Sequence, residues 1–149
     1  MSKDRIRLVL HGAVVLLIGQ LCGLPTVTES LGGDAVRFWH TAHEALIMIG
    51  ILIMTASSVL AVLVLGRRER TALIWLLLAA GYGFTTALIV GGIVGVSPFE
   101  PGSTPASFFA FVAATLGIFG SVVATILIVM GARAALKRPA EASETVEMT

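Results

Sequence analysis

Four long apolar runs, separated by short polar segments, cover residues 8–24, 41–65, 71–96 and 107–136. A hydrocarbon core of about 30 Å requires about 20 helical residues, so each run is long enough to cross a bilayer once. Backbone groups in lipid must be hydrogen-bonded within their own segment, and the alternation of a barrel strand is missing. The pattern therefore predicts an all-α bundle of four transmembrane helices, with the first helix extending towards Arg5.

The connections between the runs are short, which predicts that consecutive helices pack as antiparallel neighbours. The outer connections are residues 25–38 and 97–105, and the three prolines of the second predict a fixed irregular cap. Residues 66–70 form the inner turn. We expect one membrane domain over residues 1–138, followed by an acidic, disordered tail at 139–149.

Basic residues are distributed unevenly among these connections. Nine of the ten Lys and Arg residues fall in three clusters on alternate sides of the runs, and only Arg37 lies in the other two connections. The positive-inside rule then predicts cytoplasmic N- and C-termini in an inner membrane of bacterial type. The clusters are Lys3/Arg5/Arg7, Arg67/Arg68/Arg70 and Arg133/Lys137/Arg138.

Composition agrees with a lipid environment, because 56% of the residues are hydrophobic and only 13% are charged. A soluble domain is nearer half apolar and a quarter charged. The basic clusters suit an anionic membrane surface, and they lack the interleaved aromatic residues of a nucleic-acid binder. The expected partner is the bilayer, and no nucleic acid is expected.

The start of the second run, residues 38–46, is unusually polar for a membrane segment. It contains His40, His43 and Glu44, and Thr41 is a candidate helix cap that would place Glu44 in the first turn. Helical spacing pairs His40 with His43 and with Glu44, whereas His43 and Glu44 point about 100° apart.

Three interpretations of this segment remain open. In the first, these residues are structural: headgroup contacts for His40, a cap for Glu44, and a bond to a neighbouring helix for His43. In the second, His40 and His43 bind a transition metal, although zinc usually takes three or four ligands. In the third, one histidine is an axial haem ligand in an apolar slot.

The third run contains Gly81-Tyr82-Gly83 and Thr85 near mid-membrane. The Tyr82 hydroxyl is expected to find a hydrogen-bond partner there, and the glycines make room either for a flat ligand or for another helix. In the first run, His11 is predicted to be a hydrogen-bonded packing residue, too far from His43 to share a metal with it. The residues present provide no Ser-His-Asp set, phosphate-binding loop or paired catalytic carboxylates.

Several short marks occur in an order that resembles the styrene oxide isomerase family of small membrane proteins. A Trp-x-x-Ala-His element opens the second run, and a Gly-aromatic pair lies in the third. A loop rich in Pro and Gly leads into an aromatic fourth run. The marks are His11-Gly12, Trp39 to His43 with Gly50 seven residues later, Gly81-Tyr82, and Ser107-Phe108-Phe109-Ala110-Phe111.

The resemblance implies a homotrimer of four-helix protomers that holds ferric haem b between subunits. It maps the axial iron ligand onto His43 and places Gly50, Gly81 and Tyr82 near the cofactor. It also implies Lewis-acid rearrangement of an apolar epoxide, of the styrene oxide type, to an aldehyde without net redox change. A buried apolar site suits that reaction, since water would trap the cation-like centre.

Three positions depart from the family pattern. Where the family has Asn, Asp and Tyr, this chain has Ile49, Ala80 and Leu88. Tyr82 and Thr85 are the candidate catalytic residues to replace them. The alternative function is a non-catalytic membrane subunit, or a haem-binding module without isomerase activity.

Overall fold

The computed structural model describes residues 2–27 and 32–137, and this part of the chain contains four long α-helices and no strand. All four helices are long and apolar enough to span a membrane, which confirms the all-α, four-span prediction. The predicted disordered tail lies outside the described residues. The helices are α1 (Lys3–Cys22), which a 3-10 turn (Leu24–Val27) follows, α2 (Gly33–Val59), α3 (Arg67–Val94) and α4 (Pro105–Leu136).

The helices form two antiparallel hairpins, as the short connections predict. In the first hairpin α1 packs along α2, and in the second α3 packs along α4. The hairpins meet where α3 contacts α1 and α2, whereas in the described ranges α4 contacts neither of those helices. As a result, α4 is an outer helix with most of its large apolar side chains exposed.

Large side chains fill the junction of α1, α2 and α3, and small residues line the contact of α3 with α4. Leu8, Leu46 and Leu73 are almost completely buried in the first region. In the second, a Cβ placed on Gly83 would lie 2.9 Å from the backbone nitrogen of Gly117. Lipid gives no hydrophobic drive for helix association, so such close backbone contact is what holds the two helices together.

Helix α2 begins earlier than the sequence predicted, at Gly33 rather than near residue 41. Polar residues in this region form helical pairs instead of a loop: Asp34 lies in the first turn and pairs with Arg37. The predicted cap at Thr41 is wrong, because its hydroxyl donates to the carbonyl of Arg37 at 3.0 Å within the helix. Glu44 is therefore not in the first turn.

Helix α2 also ends earlier than predicted, at Val59 rather than residue 65. The six apolar residues that follow are not helical. Val64 donates its N–H to the carbonyl of Gly131 on α4 at 3.2 Å, and a Cβ on Gly131 would come within 2.9 Å of Leu65. The second half of this connection therefore packs on α4.

The irregular connection between α3 and α4 is anchored at one of its three prolines, Pro98, and its other residues from 97 to 105 are exposed. Gly95 ends α3 in the left-handed conformation, with φ 70°, and Val96 donates to the carbonyl of Gly91 at 3.0 Å. Pro98 is fully buried. Thr104 then caps α4, which begins at Pro105.

The starts of α1 and α3 meet at one end of the molecule, where α2 also finishes. The Arg70 guanidinium lies 3.3 Å from the Asp4 carboxylate, and Nε of Arg5 donates to the carbonyl of Ser57 at 2.9 Å. We call this the basic end. Its described basic residues are Lys3, Arg5, Arg7, Arg67, Arg68, Arg70, Arg133 and Lys137.

Candidate functional site

The imidazole of His43 lies in a recess on α1 formed by two glycines. Its Nδ1 is 2.8 Å from the carbonyl oxygen of Gly19. A Cβ placed on Gly23 would lie 2.8 Å from the same nitrogen, so only a residue without a side chain leaves room for the ring. The contact between α1 and α2 therefore fixes the position of His43.

This hydrogen bond also fixes the tautomer of a neutral His43. A carbonyl oxygen only accepts, so Nδ1 must carry the hydrogen and donate it to Gly19. The lone pair is then on Nε2. A backbone carbonyl on one ring nitrogen is a common way of orienting a histidine whose other nitrogen binds a metal. Nε2 is thus the His43 nitrogen whose lone pair is not used by this hydrogen bond.

His40 has a different environment, although it is only three residues away. Its Nδ1 lies 3.6 Å from a carboxylate oxygen of Glu44, and the two side chains are 60% and 62% exposed. Among the described residues, no group of three or more His, Cys, Asp or Glu side chains could hold a metal ion. The geometry therefore gives no support to a metal site shared by His40 and His43.

His11 and Tyr82 form a polar pair between α1 and α3. Nδ1 of His11 is 2.7 Å from the Tyr82 hydroxyl, and the rings meet edge to face with an interplanar angle of 84°. This confirms that His11 is hydrogen-bonded and that the Tyr82 hydroxyl has a partner. Gly19, which bonds His43, is eight residues beyond His11 on α1, or about 12 Å, which is too far for the two histidines to ligate one metal ion.

The two glycines predicted to flank a cofactor lie at helix contacts in the protomer. A Cβ on Gly50 would lie 2.7 Å from the Cβ of Leu16 on α1, and one on Gly81 would lie 2.6 Å from Cδ1 of Ile53 on α2. This geometry supports the helix-packing interpretation. A cofactor contact at Gly50, Gly81 or Tyr82 stays a prediction.

The two candidate catalytic hydroxyls have different partners. Thr85 is 5% exposed and donates its hydroxyl to the carbonyl of Gly81 at 2.7 Å, on its own helix. Tyr82 is 36% exposed and reaches across to α1. The Thr85 proton is therefore committed to the backbone, whereas the Tyr82 hydroxyl is near the protomer surface.

Residues 4–135 match the family model described as styrene oxide isomerase, from the first turn of α1 to the last turn of α4. The chain belongs to the styrene oxide isomerase family. An isomerase-like function follows from this membership at the level of the family. No curated protein and no solved structure matches the chain.

In this styrene oxide isomerase family member, the three departures from the expected pattern all have apolar surroundings. Ile49 packs against the hydrophobic core of α1, α2 and α3. Ala80 is 6% exposed and lies against Gly120 of α4, and Leu88 is 5% exposed in the core. The protomer therefore uses these positions for helix contacts.

The sequence did not predict the hydrogen-bond partners of His43 and His11. Gly19 and Gly23 lie where α1 contacts α2, and their role as the recess for His43 was not predicted. The spacing of four residues was the available signal. The partner of Tyr82 was missed because His11 is 71 residues away, and only the register of α1 against α3 brings the two together.

Proposed function

We propose that this protein is a haem b-dependent isomerase that rearranges an apolar epoxide to an aldehyde within the membrane. The observation that carries the proposal is the hydrogen bond from Nδ1 of His43 to Gly19, which leaves Nε2 free to bind iron. Family membership supports the reaction class. The expected substrate is a styrene oxide-type molecule that enters from the bilayer.

The residues around His43 fit a haem ligand. A single imidazole is enough for axial ligation, and this one is held in a fixed orientation by α1. Ferric haem, when bound, supplies a Lewis acid for the epoxide oxygen. Gly23 keeps the recess open for the imidazole, and the apolar helices exclude water from the reacting carbon.

Tyr82 is the stronger of the two candidate catalytic residues in this proposal. Its hydroxyl is near the protomer surface and is bonded to His11, an arrangement that lets it donate or accept a proton. The Thr85 hydroxyl is already used on α3. Converting an epoxide to an aldehyde moves a hydride between neighbouring carbons, so no external reductant is required.

The homotrimer implied by the resemblance is part of the proposal. The protomer has extensive exposed apolar surface, including Met48 and Ile51 on α2 and Phe108 and Phe119 on α4. A second protomer is able to provide the other wall of a haem pocket that one protomer leaves open.

Turnover is tested with ferric protein in detergent and a panel of epoxides that includes styrene oxide. Aldehyde measured by gas chromatography should exceed that from free haem, without added NAD or flavin. Dithionite should lower the rate, since ferrous iron is the weaker Lewis acid. Turnover at the level of free haem contradicts the enzymatic proposal.

A specific observation favours one alternative, a haem-binding module without turnover. The positions of Ile49, Ala80 and Leu88 have no polar group for orienting a substrate, and all three are used in helix packing. This alternative predicts bound haem with no epoxide conversion. The turnover assay on haem-loaded protein separates it from the isomerase.

A further inference from the structure

The first three turns of α3 carry a shallow, open groove at the basic end of the molecule. We propose that this groove binds an anionic phospholipid, with the lipid phosphate on two arginines and the upper acyl chain against a tryptophan. Its lining residues are Arg67, Arg68, Thr71, Ala72 and Trp75.

The arginines of this groove have uncompensated charge. Arg67 and Arg68 are exposed, and neither has an ion-pair partner among the described residues. The nearby Glu69 carboxylate accepts the N–H of Gly66 at 2.8 Å, and Arg70 turns away to Asp4. The guanidinium groups of both residues thus remain available, and a guanidinium fork matches the oxygens of a phosphate.

The end of the groove at Trp75 is apolar. Trp75 is 61% exposed, while Leu73 and Ile74 beside it are buried. Arg67, Thr71 and Trp75 are spaced four residues apart, so they share one face of α3. The groove is therefore cationic at Arg67 and Arg68 and aromatic at Trp75, and it lies on a surface directed away from the core.

The dimensions of this face suit a single lipid. Trp75 lies eight residues from Arg67, about 12 Å along the helix axis. The polar interface of a bilayer is about 5–7 Å thick on each side, so this distance reaches from the headgroups into the upper hydrocarbon. Tryptophan is enriched at this depth. A free phosphate ion would contact only the arginines and would not reach Trp75.

A second basic pair at the same end provides a matched control. Arg133 and Lys137 of α4 are also exposed and without an ion-pair partner in the described ranges. However, residues 122–136 of α4 contain no aromatic side chain. Removing this pair changes the net charge by the same two units without altering the groove.

The test uses Trp75 as the reporter. The chain has two tryptophans, so Trp39→Phe leaves Trp75 as the only indole. The full-length protein is reconstituted in vesicles of phosphatidylglycerol and phosphatidylcholine at a fixed ratio, with brominated chains on one lipid or the other in both leaflets. Any bound haem quenches Trp75 fluorescence equally in the two vesicle preparations, so its contribution cancels when they are compared.

Brominated phosphatidylglycerol should quench Trp75 several-fold more effectively than brominated phosphatidylcholine, with about five-fold selection per arginine as the upper expectation. Arg67→Ala/Arg68→Ala should bring the ratio to about one, and Arg133→Ala/Lys137→Ala should leave it unchanged. Trp75→Phe, which leaves only Trp39, should show no preference.

Three results would overturn the proposal. They are equal quenching of Trp75 by the two lipids, an equal loss of preference in both double variants, and competition by millimolar inorganic phosphate to the same extent as by added phosphatidylglycerol. Trp75 quenching does not require catalytic activity, so the outcome of this test is independent of the proposed isomerase function.

Discussion

The hydroxyl of Tyr82 on α3 lies 2.7 Å from Nδ1 of His11 on α1, and this bond links the two hairpins of the protomer. Both residues are near the middle of their helices. Polar groups at that depth are costly without a partner, so each side chain depends on the other.

We predict that Tyr82→Phe and His11→Phe each lower the free energy of unfolding, and that the double variant is less destabilised than the sum of the two. Coupling energies for such bonds in membrane proteins average about 0.6 kcal/mol and reach about 1.7 kcal/mol. Unfolding in mixed detergent measures all four proteins. Strict additivity would mean that the bond contributes nothing to stability.

Arg5 should stabilise the end of α2. Its Nε donates to the carbonyl of Ser57, one of the last backbone carbonyls of that helix, which also carry the negative end of the helix dipole. Arg5→Ala should lower the unfolding free energy by about 1 kcal/mol. Arg7→Ala is the control, because Arg7 is exposed on the same helix and has the same charge. Equal effects of both variants would argue against the contact.

The recess for His43 should be sensitive to a single methyl group. A Cβ at Gly23 would lie 2.8 Å from Nδ1, so Gly23→Ala must displace the imidazole. We expect it to lower the haem content of the purified protein severalfold. Gly33→Ala is the matched control, since a Cβ there meets nothing within 4 Å. Haem per protomer is measured by pyridine haemochrome, and full occupancy in Gly23→Ala would contradict this role.

The uneven distribution of basic residues predicts cytoplasmic termini. Fusions of green fluorescent protein after Arg70 and after Lys137 should fluoresce, and fusions of alkaline phosphatase within residues 97–105 should be active outside the membrane. Contact of Asp4 with Arg70 already requires α1 and α3 to start on the same side. A cytoplasmic location for residues 97–105 would reverse the proposed orientation.

The sequence predicted the four helices and their antiparallel order because apolar length and short connections are local properties. It did not predict the bounds of α2. At its start Asp34 and Arg37 are helical and paired, and after its end Val64 donates its N–H to the carbonyl of Gly131 on α4. The contact of Val64 with Gly131 joins distant parts of the chain, and a local residue pattern cannot predict it.

The same distinction applies to the candidate site. His43 was selected from its place in a Trp-x-x-Ala-His element, but its tautomer follows from the register of α1 against α2, which places the carbonyl of Gly19 beside Nδ1. Likewise, Gly50 and Gly81 were read as possible space for a cofactor. Their neighbours Leu16 and Ile53 became known only from the packed helices.

The absorption spectrum of the protein purified in mild detergent from haem-replete cells tests the central claim most directly. The wild type should show a Soret band, and His43→Ala should lose most of it because the axial nitrogen is gone. His40→Ala should keep the band, since His40 faces Glu44 instead. A folded wild type without a Soret band, or a His43→Ala variant with the wild-type spectrum, would contradict the account.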